Sequence, residues 1–107
     1  MDNLVTQLKE LGDDNRFRIM MMLRERSLCS CELLRVLNIA GGTLSAHLKV
    51  LKESGLMCQH KKGRWVLCSI ADESAADLIG YLARRVGSAD TFHRDLEIVR
   101  TMVPAAS

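Results

Sequence analysis

Cys29 and Cys31 stand two residues apart in Leu28-Cys29-Ser30-Cys31-Glu32. Thiolate pairs favour soft, thiophilic ions. On a regular helix, residues i and i+2 do not share a face. Both sulfurs can hold one ion only where a helix has not yet begun, or by distorting its first turn. Binding would then reshape the start of that helix. A helix N-terminus also lowers a thiol pKa, which raises the thiolate fraction. The plainer reading is a pair of small residues packed at a helix start, and spacing alone does not separate the two. A Cys29–Cys31 disulfide would close a strained ring. Cys58 and Cys68 flank a turn near Gly63 and are expected as opposite or diagonal neighbours on paired strands. They can add a third thiolate, form a redox pair, or simply pack.

A second group of residues follows closely. Leu44, Leu48 and Leu51 are four and three apart, which makes one buried stripe on a helix. Thr43, Ser45, Ala46, His47, Lys49 and Lys52 lie off that stripe. Short polar side chains on the outer face of such a helix suit base edges in a major groove: Thr43, Ser45 and His47 meet that need. Lys49 and Lys52 would reach phosphates, which position the helix without reading sequence. The Gly41-Gly42 pair lets backbone approach closely at the helix start, and the Gly42 amide can meet a phosphate. Lys61, Lys62 and Arg64 are expected at the tip of a hairpin, where an arginine can enter a narrow minor groove. An ordinary amphipathic helix with a solvated charged face is the bland alternative.

These groups need a scaffold. Leu4, Val5, Leu8 and Leu11 recur at helical spacing up to Gly12. Asp13-Asp14-Asn15 offers caps for a helix from about Asn15 to Arg26. A short helix is expected from about Cys29 to Leu37, capped by Ser27 or Ser30. Asn38 to Gly42 is a turn. The next helix runs to about Ser54 and stops at Gly55. Strands are expected at Leu56 to His60 and at Trp65 to Ile70, joined by Lys61-Lys62-Gly63-Arg64. Helical character returns at Ser74 to Val86 and Ala89 to Met102. Leu78, Ile79, Leu82, Leu96, Ile98 and Val99 can serve a dimer face or the chain's own core. The fold class is therefore α+β, mainly α: a winged helix-turn-helix with a two-stranded β-hairpin wing, dimeric, in one domain spanning 1–107.

Composition supports this scaffold. A chain of 107 residues suits one compact domain. With only Trp65, Tyr81, Phe17 and Phe92 as aromatics, the core must rest on Leu, Ile, Val, Met and Ala. So small a core would gain from a dimer interface. The net charge of +2 says little, but its distribution says more. Lys49, Lys52, Lys61, Lys62 and Arg64 meet a single acid, Glu53, between positions 49 and 64, as expected for one phosphate-facing surface. The start of the chain does not read as a signal peptide, and no apolar run is long enough to span a bilayer. A cytoplasmic location and no membrane partner are expected, with thiols kept reduced.

Together these residues resemble the ArsR/SmtB family of winged-helix metal-sensing repressors. Leu28-Cys29-Ser30-Cys31-Glu32-Leu33 is similar to that family's cysteine box. Thr43 through Leu56 is similar to its recognition-helix signature, and Gly63-Arg64-Trp65-Val66 to its wing. Asp14-Asn15-Arg16-Phe17-Arg18-Ile19 is similar to one of its helix openings. The likeness is close from Leu4 to Ile70 and loose beyond. It implies a homodimer that represses transcription on double-stranded operator DNA and is released by metal at the cysteine box.

The arsenic-repressor-like branch implies trivalent arsenic or antimony as inducer, bound by three thiolates, two of them Cys29 and Cys31. The third usually follows three residues later, where this chain has Leu34. Cys58, Cys68, a hydroxide or a small thiol can stand in. Cadmium- and lead-sensing relatives add cysteines near the N-terminus, and none precedes Cys29. The zinc-type pattern on the last helix is missing, since His93 and Glu97 are four apart and no Asp-x-His occurs. Ala40-Gly41-Gly42 departs from the family's usual helix opening, so no operator sequence carries over. Release by thiol oxidation or reactive sulfur, or by cadmium or lead, is the alternative trigger. No organic cofactor is expected, and no nucleophile–base constellation suggests an enzyme.

Overall fold

The structure, a computed structural model, describes residues 2–87 and 89–106. The expected domain 1–107 also takes in Met1, Ser88 and Ser107, which lie outside the described residues. The elements are α1 (Asp2–Glu10), α2 (Asp14–Leu23), β1 (Leu28–Cys29), α3 (Ser30–Val36), α4 (Gly41–Glu53), β2 (Met57–Lys62), β3 (Trp65–Ile70), α5 (Glu73–Val86) and α6 (Asp90–Thr101). The order is that of a winged helix.

Asp13 caps α2: its Oδ1 accepts from the Arg16 amide at 3.0 Å. The helix ends at Leu23, short of the expected Arg26, and Ile19 to Leu23 are all buried. The core joins these residues to Leu33, Leu37, Leu44, Leu51, Leu56, Met57 and Ile79, so it is aliphatic and methionine-rich. Phe17 and Phe92 pair at its edge, with ring centroids 5.2 Å apart.

α6 lies along α2. Arg18 donates to both Asp95 carboxylate oxygens, at 2.8 and 2.9 Å, and Asp95 is buried. That packing assigns Val99 to the chain's own core, as Ile79 is on α5. Leu78 and Leu82 are only half-buried against it. On α1, Leu4, Val5 and Leu8 stand exposed, at 41%, 65% and 47%.

α4 is shaped by its own sequence. Leu44, Leu48 and Leu51 are its buried residues. It ends at Gly55, whose φ of 81° suits glycine. The Gly55 amide donates to the Lys52 carbonyl and the Leu56 amide to the Leu51 carbonyl, each at 3.2 Å. This is a Schellman closure, and Leu51 and Leu56 are both buried.

The sheet has three antiparallel strands in the order β1-β3-β2 rather than the expected two. Leu28 pairs with Cys68 and Cys29 with Leu67. A two-residue strand shows no alternation, which is why it was not visible in the pattern. The hairpin loop is Gly63-Arg64, because Lys62 pairs with Trp65. Gly63 has φ 62° and, among the described residues, no non-glycine residue is left-handed, as in a type II′ turn.

Candidate nucleic-acid interface and cysteine site

β1 delivers Cys29 to the start of α3. Its backbone is extended (φ −87°, ψ 167°) and it occupies the N-cap position, whereas Cys31 is already helical. Neither Ser27 nor Ser30 serves as the cap. Ser27 instead shares a hydroxyl–hydroxyl bond of 2.5 Å with Ser69 on β3. The change of conformation between Cys29 and Cys31 turns both side chains the same way. Their Sγ atoms lie 2.7 Å apart, with Cys29 buried and Cys31 exposed.

The thiol at the helix start is not activated. Burial, the contact with Cys31 and the nearby Glu32 carboxylate push Cys29 up to about 11 from an ordinary 9.0. This overturns the expected lowering: a short helix start cannot outweigh removal from water plus a neighbouring negative charge. Cys29 therefore holds its proton at neutral pH, and an ion binding there must displace it.

Glu32 is the residue that sequence reasoning missed as a structural centre. It is only 2% exposed. One carboxylate oxygen accepts from the Cys29 amide at 2.9 Å. The other accepts from Arg26 Nη2 and from the Ala105 amide, both at 3.1 Å. Burial opposes ionisation, but these donors outweigh it and hold the carboxyl below its ordinary value. One buried charge thus fastens the cysteine pair, the end of the α2 segment and the chain after α6.

Cys58 and Cys68 do not join that pair. Cys58 pairs with Ser69 and Cys68 with Gln59. Side chains of adjacent positions alternate across a sheet, so Cys58 and Cys68 face opposite sides rather than each other. Cys68 is fully buried on the Leu28 side, receives the Gln59 amide at 3.6 Å, and is pushed up by burial. Cys58 is half-buried, its thiol 3.9 Å from the Ile70 carbonyl. Among the described residues no three His, Cys, Asp or Glu side chains gather as a metal cluster. Among the described residues the pair brings two sulfur donors together, a set that could hold a thiophilic ion only with a further donor from elsewhere. His93 and Glu97 sit exposed on α6, 3.6 Å apart.

The outer face of α4 brings Gly42, Thr43, Ser45, Ala46, Lys49 and Lys52 together, all exposed. A Cβ at Gly41 or Gly42 would meet nothing within 4 Å, so the helix start is open. His47 leaves this group. Its side chain is only 12% exposed, and its Nδ1 receives Arg16 Nη1 at 3.2 Å. A guanidinium can only donate, so the ring proton lies on Nε2, 3.9 Å from Asp13 Oδ1. Arg16 also donates Nε to the Glu10 carbonyl at 2.7 Å. His47 therefore fixes α4 against the α1–α2 junction instead of reaching outward. The helical wheel carried that signal: three residues after Leu44, His47 lies about 60° from the buried stripe.

On the wing, Lys61 and Lys62 belong to β2 and alternate in direction, so only Arg64 with Gly63 forms the tip. The Arg64 guanidinium lies 5.1 Å from the centre of the Trp65 ring, a cation–π contact that holds the arginine at the turn. All three basic residues are exposed.

A helix-turn-helix of α3 and α4, an exposed polar helix face and a basic β-hairpin define a winged helix-turn-helix regulator. The family model described as "Bacterial regulatory protein, arsR family" matches residues 13–57. The chain is 32% identical over 74 residues to the arsenical resistance operon repressor of Bacillus subtilis, covering 68% of this chain and 70% of that one. It is 41% identical over 59 residues to the arsenic resistance transcriptional regulator ArsR1 of Pseudomonas putida, covering 54% of this chain. That match spans 46% of the Pseudomonas protein, about half its length. Among solved structures, HlyU from Vibrio cholerae superposes with a TM-score of 0.73 at 27% identity, covering 78% of this chain and 91% of that one. The chain belongs to the arsR family of bacterial regulatory proteins, which are not enzymes.

Proposed function

We propose that this chain is a metal-responsive transcriptional repressor that binds operator DNA as a homodimer. Binding of trivalent arsenic or antimony at Cys29 and Cys31 lowers its affinity for the operator. The observation that carries the reading is the convergence of the two sulfurs, 2.7 Å apart, at the first residue of the helix packed on α4. A soft ion held by both would supply strong bonds to sulfur; with arsenite, each As–S bond would replace an As–O bond and the thiol proton would leave with the hydroxide as water. The chain's own part is to present the sulfurs and to transmit any shift of α3 to α4. The arsenical names of two relatives support the choice of ion. The exposed Leu4, Val5 and Leu8 on α1 support a second copy of the chain as partner, since the described residues leave that apolar face partly open.

The test is gel shift of the protein on the DNA upstream of its own gene, with and without arsenite. Wild-type protein should bind in the absence of arsenite and let go in its presence. Cys29→Ser and Cys31→Ser should bind equally well and stay bound. Release of either variant at the wild-type arsenite concentration overturns the reading.

A further inference from the structure

Ser30, Ser45, Leu48, Lys49, Lys52 and Gln59 line one notch of about 290 Å³ between the start of α3, the outer face of α4 and β2. Apart from Leu48, the lining is polar: two ammonium groups, two hydroxyls and one carboxamide. All five polar side chains are exposed, and no carboxylate lines the notch. Among the described residues, neither Lys49 nor Lys52 makes an ion pair. Gln59 spends one amide hydrogen on Cys68 and retains the other. Two unpaired cations converging with neutral donors have the chemistry of an oxyanion site.

Two features identify the anion. Ser45 and Lys49 belong to the same exposed face of α4 as Gly42 and Ala46, so the notch borders the surface that would lie against a groove. Lysine, serine and glutamine are also the side chains that typically hold the phosphates flanking a groove. We propose that the notch seats one backbone phosphate of the duplex, and that Ser30 links this contact to the sulfur pair. This rests on the DNA-binding reading above. Ser30 is the residue between Cys29 and Cys31, so its hydroxyl is placed by the two backbone segments that carry the sulfurs. Drawing both sulfurs onto one ion turns Ser30 relative to Lys49 and Lys52, and the phosphate loses part of its cradle. The route from ion to DNA is then one residue long.

The experiment uses the full chain and an operator duplex titrated at several salt concentrations. Lys49→Ala and Lys52→Ala should weaken binding to operator and to unrelated duplex alike, and each should flatten the salt slope by about 1. Ser30→Ala and Gln59→Ala should weaken it roughly threefold to tenfold, as expected for one lost hydrogen bond at an exposed position. Ser30→Ala should also shrink the arsenite-driven release ratio. A set of duplexes, each with one phosphate replaced by a neutral methylphosphonate, should contain one position that weakens wild-type protein but leaves Lys49→Ala unchanged. Amide signals of Ser30 and Gln59 should move with duplex and stay still with inorganic phosphate at equal ionic strength.

If wild-type protein binds the operator but Ser30→Ala and Gln59→Ala match it, or no such methylphosphonate position exists, the inference falls while DNA binding stands. Movement of both signals with inorganic phosphate alone assigns the notch to a free anion and also overturns it. Absence of any salt-dependent duplex binding by wild-type protein removes the function proposed above as well.

Discussion

Cys29 and Cys31 bring their sulfurs to 2.7 Å, whereas Cys58 and Cys68 face opposite sides of one hairpin. In sequence the second pair looked as able to meet as the first, since a tight turn brings its strands together. The difference lies in the backbone around each pair. Cys29 is extended and Cys31 helical, so the i, i+2 rule of either regular structure does not apply to them. Cys58 and Cys68 belong to one regular ladder, where a register offset of one residue sends neighbours to opposite faces. Convergence of close cysteines thus depends on a break in secondary structure, and here β1 supplies the break.

Glu32 holds that break in place, so its loss should have the largest effect. Glu32→Ala strands three donors: the Cys29 amide, the Ala105 amide and the Arg26 guanidinium. Removing one partner of a buried ionic group should lower stability by about 3 kcal/mol, measured by urea unfolding. An unfolding midpoint unchanged from wild type would show that the pair is held by something other than this carboxylate.

The next effect separates the two pairs directly. A Cys58→Ser/Cys68→Ser double variant that remains folded should keep the full arsenite response, with the sulfur-to-arsenic absorbance of two thiolates. Cys29→Ser should abolish a coupling of typically 1–3 kcal/mol. An absorbance that reports three thiolates in wild-type protein and drops in the double variant would bring a hairpin cysteine to the ion and erase the contrast.

Within the hairpin the two cysteines should also differ from each other. Cys68 is fully buried against apolar neighbours, with only a long contact from Gln59. A serine hydroxyl there must be desolvated, so Cys68→Ser should cost about 1–2 kcal/mol of unfolding free energy. Cys58→Ser, at a half-buried position, should stay within about 0.5 kcal/mol. Equal losses would mean that the two positions are not on different faces.

Alkaline titration sharpens the contrast from another side. Cys29 rises from 9.0 to about 11 on folding, so the folded state holds its proton more tightly than the unfolded one. That contribution to stability is whole below pH 9 and fades as pH climbs through about 11. Cys29→Ser should remove this part of the alkaline decline, leaving the part due to Cys68, which shifts in the same direction. Arsenite reaches the pair as As(OH)3, so each thiol proton leaves with an arsenic hydroxide as water, no net proton is released, and arsenite affinity should stay level across the neutral range while the Cys29 thiol holds its proton. An arsenite affinity that rose about tenfold per pH unit across that range would show that a thiol proton is released to solution instead of leaving as water. On the acid side Glu32 acts with the opposite sign: its contribution is present above its ordinary 4.5 and lost as pH falls below it.

What could be read in the chain follows the same division between regular and irregular backbone. α4 was legible because Leu44, Leu48 and Leu51 mark its buried side and Gly55 its end. The hairpin was legible from Gly63 between two apolar runs. β1 was not, since two residues show no period, and without β1 neither the cap at Cys29 nor the convergence of the sulfurs could be derived. Glu32 escaped for a different reason. Carboxylates are rarely buried, and its partners Arg26 and Ala105 are brought to it only by the folded chain. The raised Cys29 thiol depends on that same carboxylate and on burial, so it was equally invisible in sequence. The DNA-facing set was legible as a face, but the division of labour within it was not, and His47 is the case in point.

His47 tests that division at the smallest scale. Its ring receives Arg16 and lies near Asp13, whose carboxyl the Arg16 amide and guanidinium keep below its ordinary value against the opposing effect of burial. Loss of one partly buried hydrogen bond should make His47→Ala less stable by about 1 kcal/mol. Because the side chain points to the α1–α2 junction, that loss should appear in unfolding with DNA absent. Operator affinity should fall without any change in which base pairs are preferred, since no base contact is removed. His47→Gln, which can still accept from Arg16, should recover most of the stability. A variant with wild-type stability but altered base preference would return His47 to the reading face of α4 and detach Arg16 from the positioning of that helix.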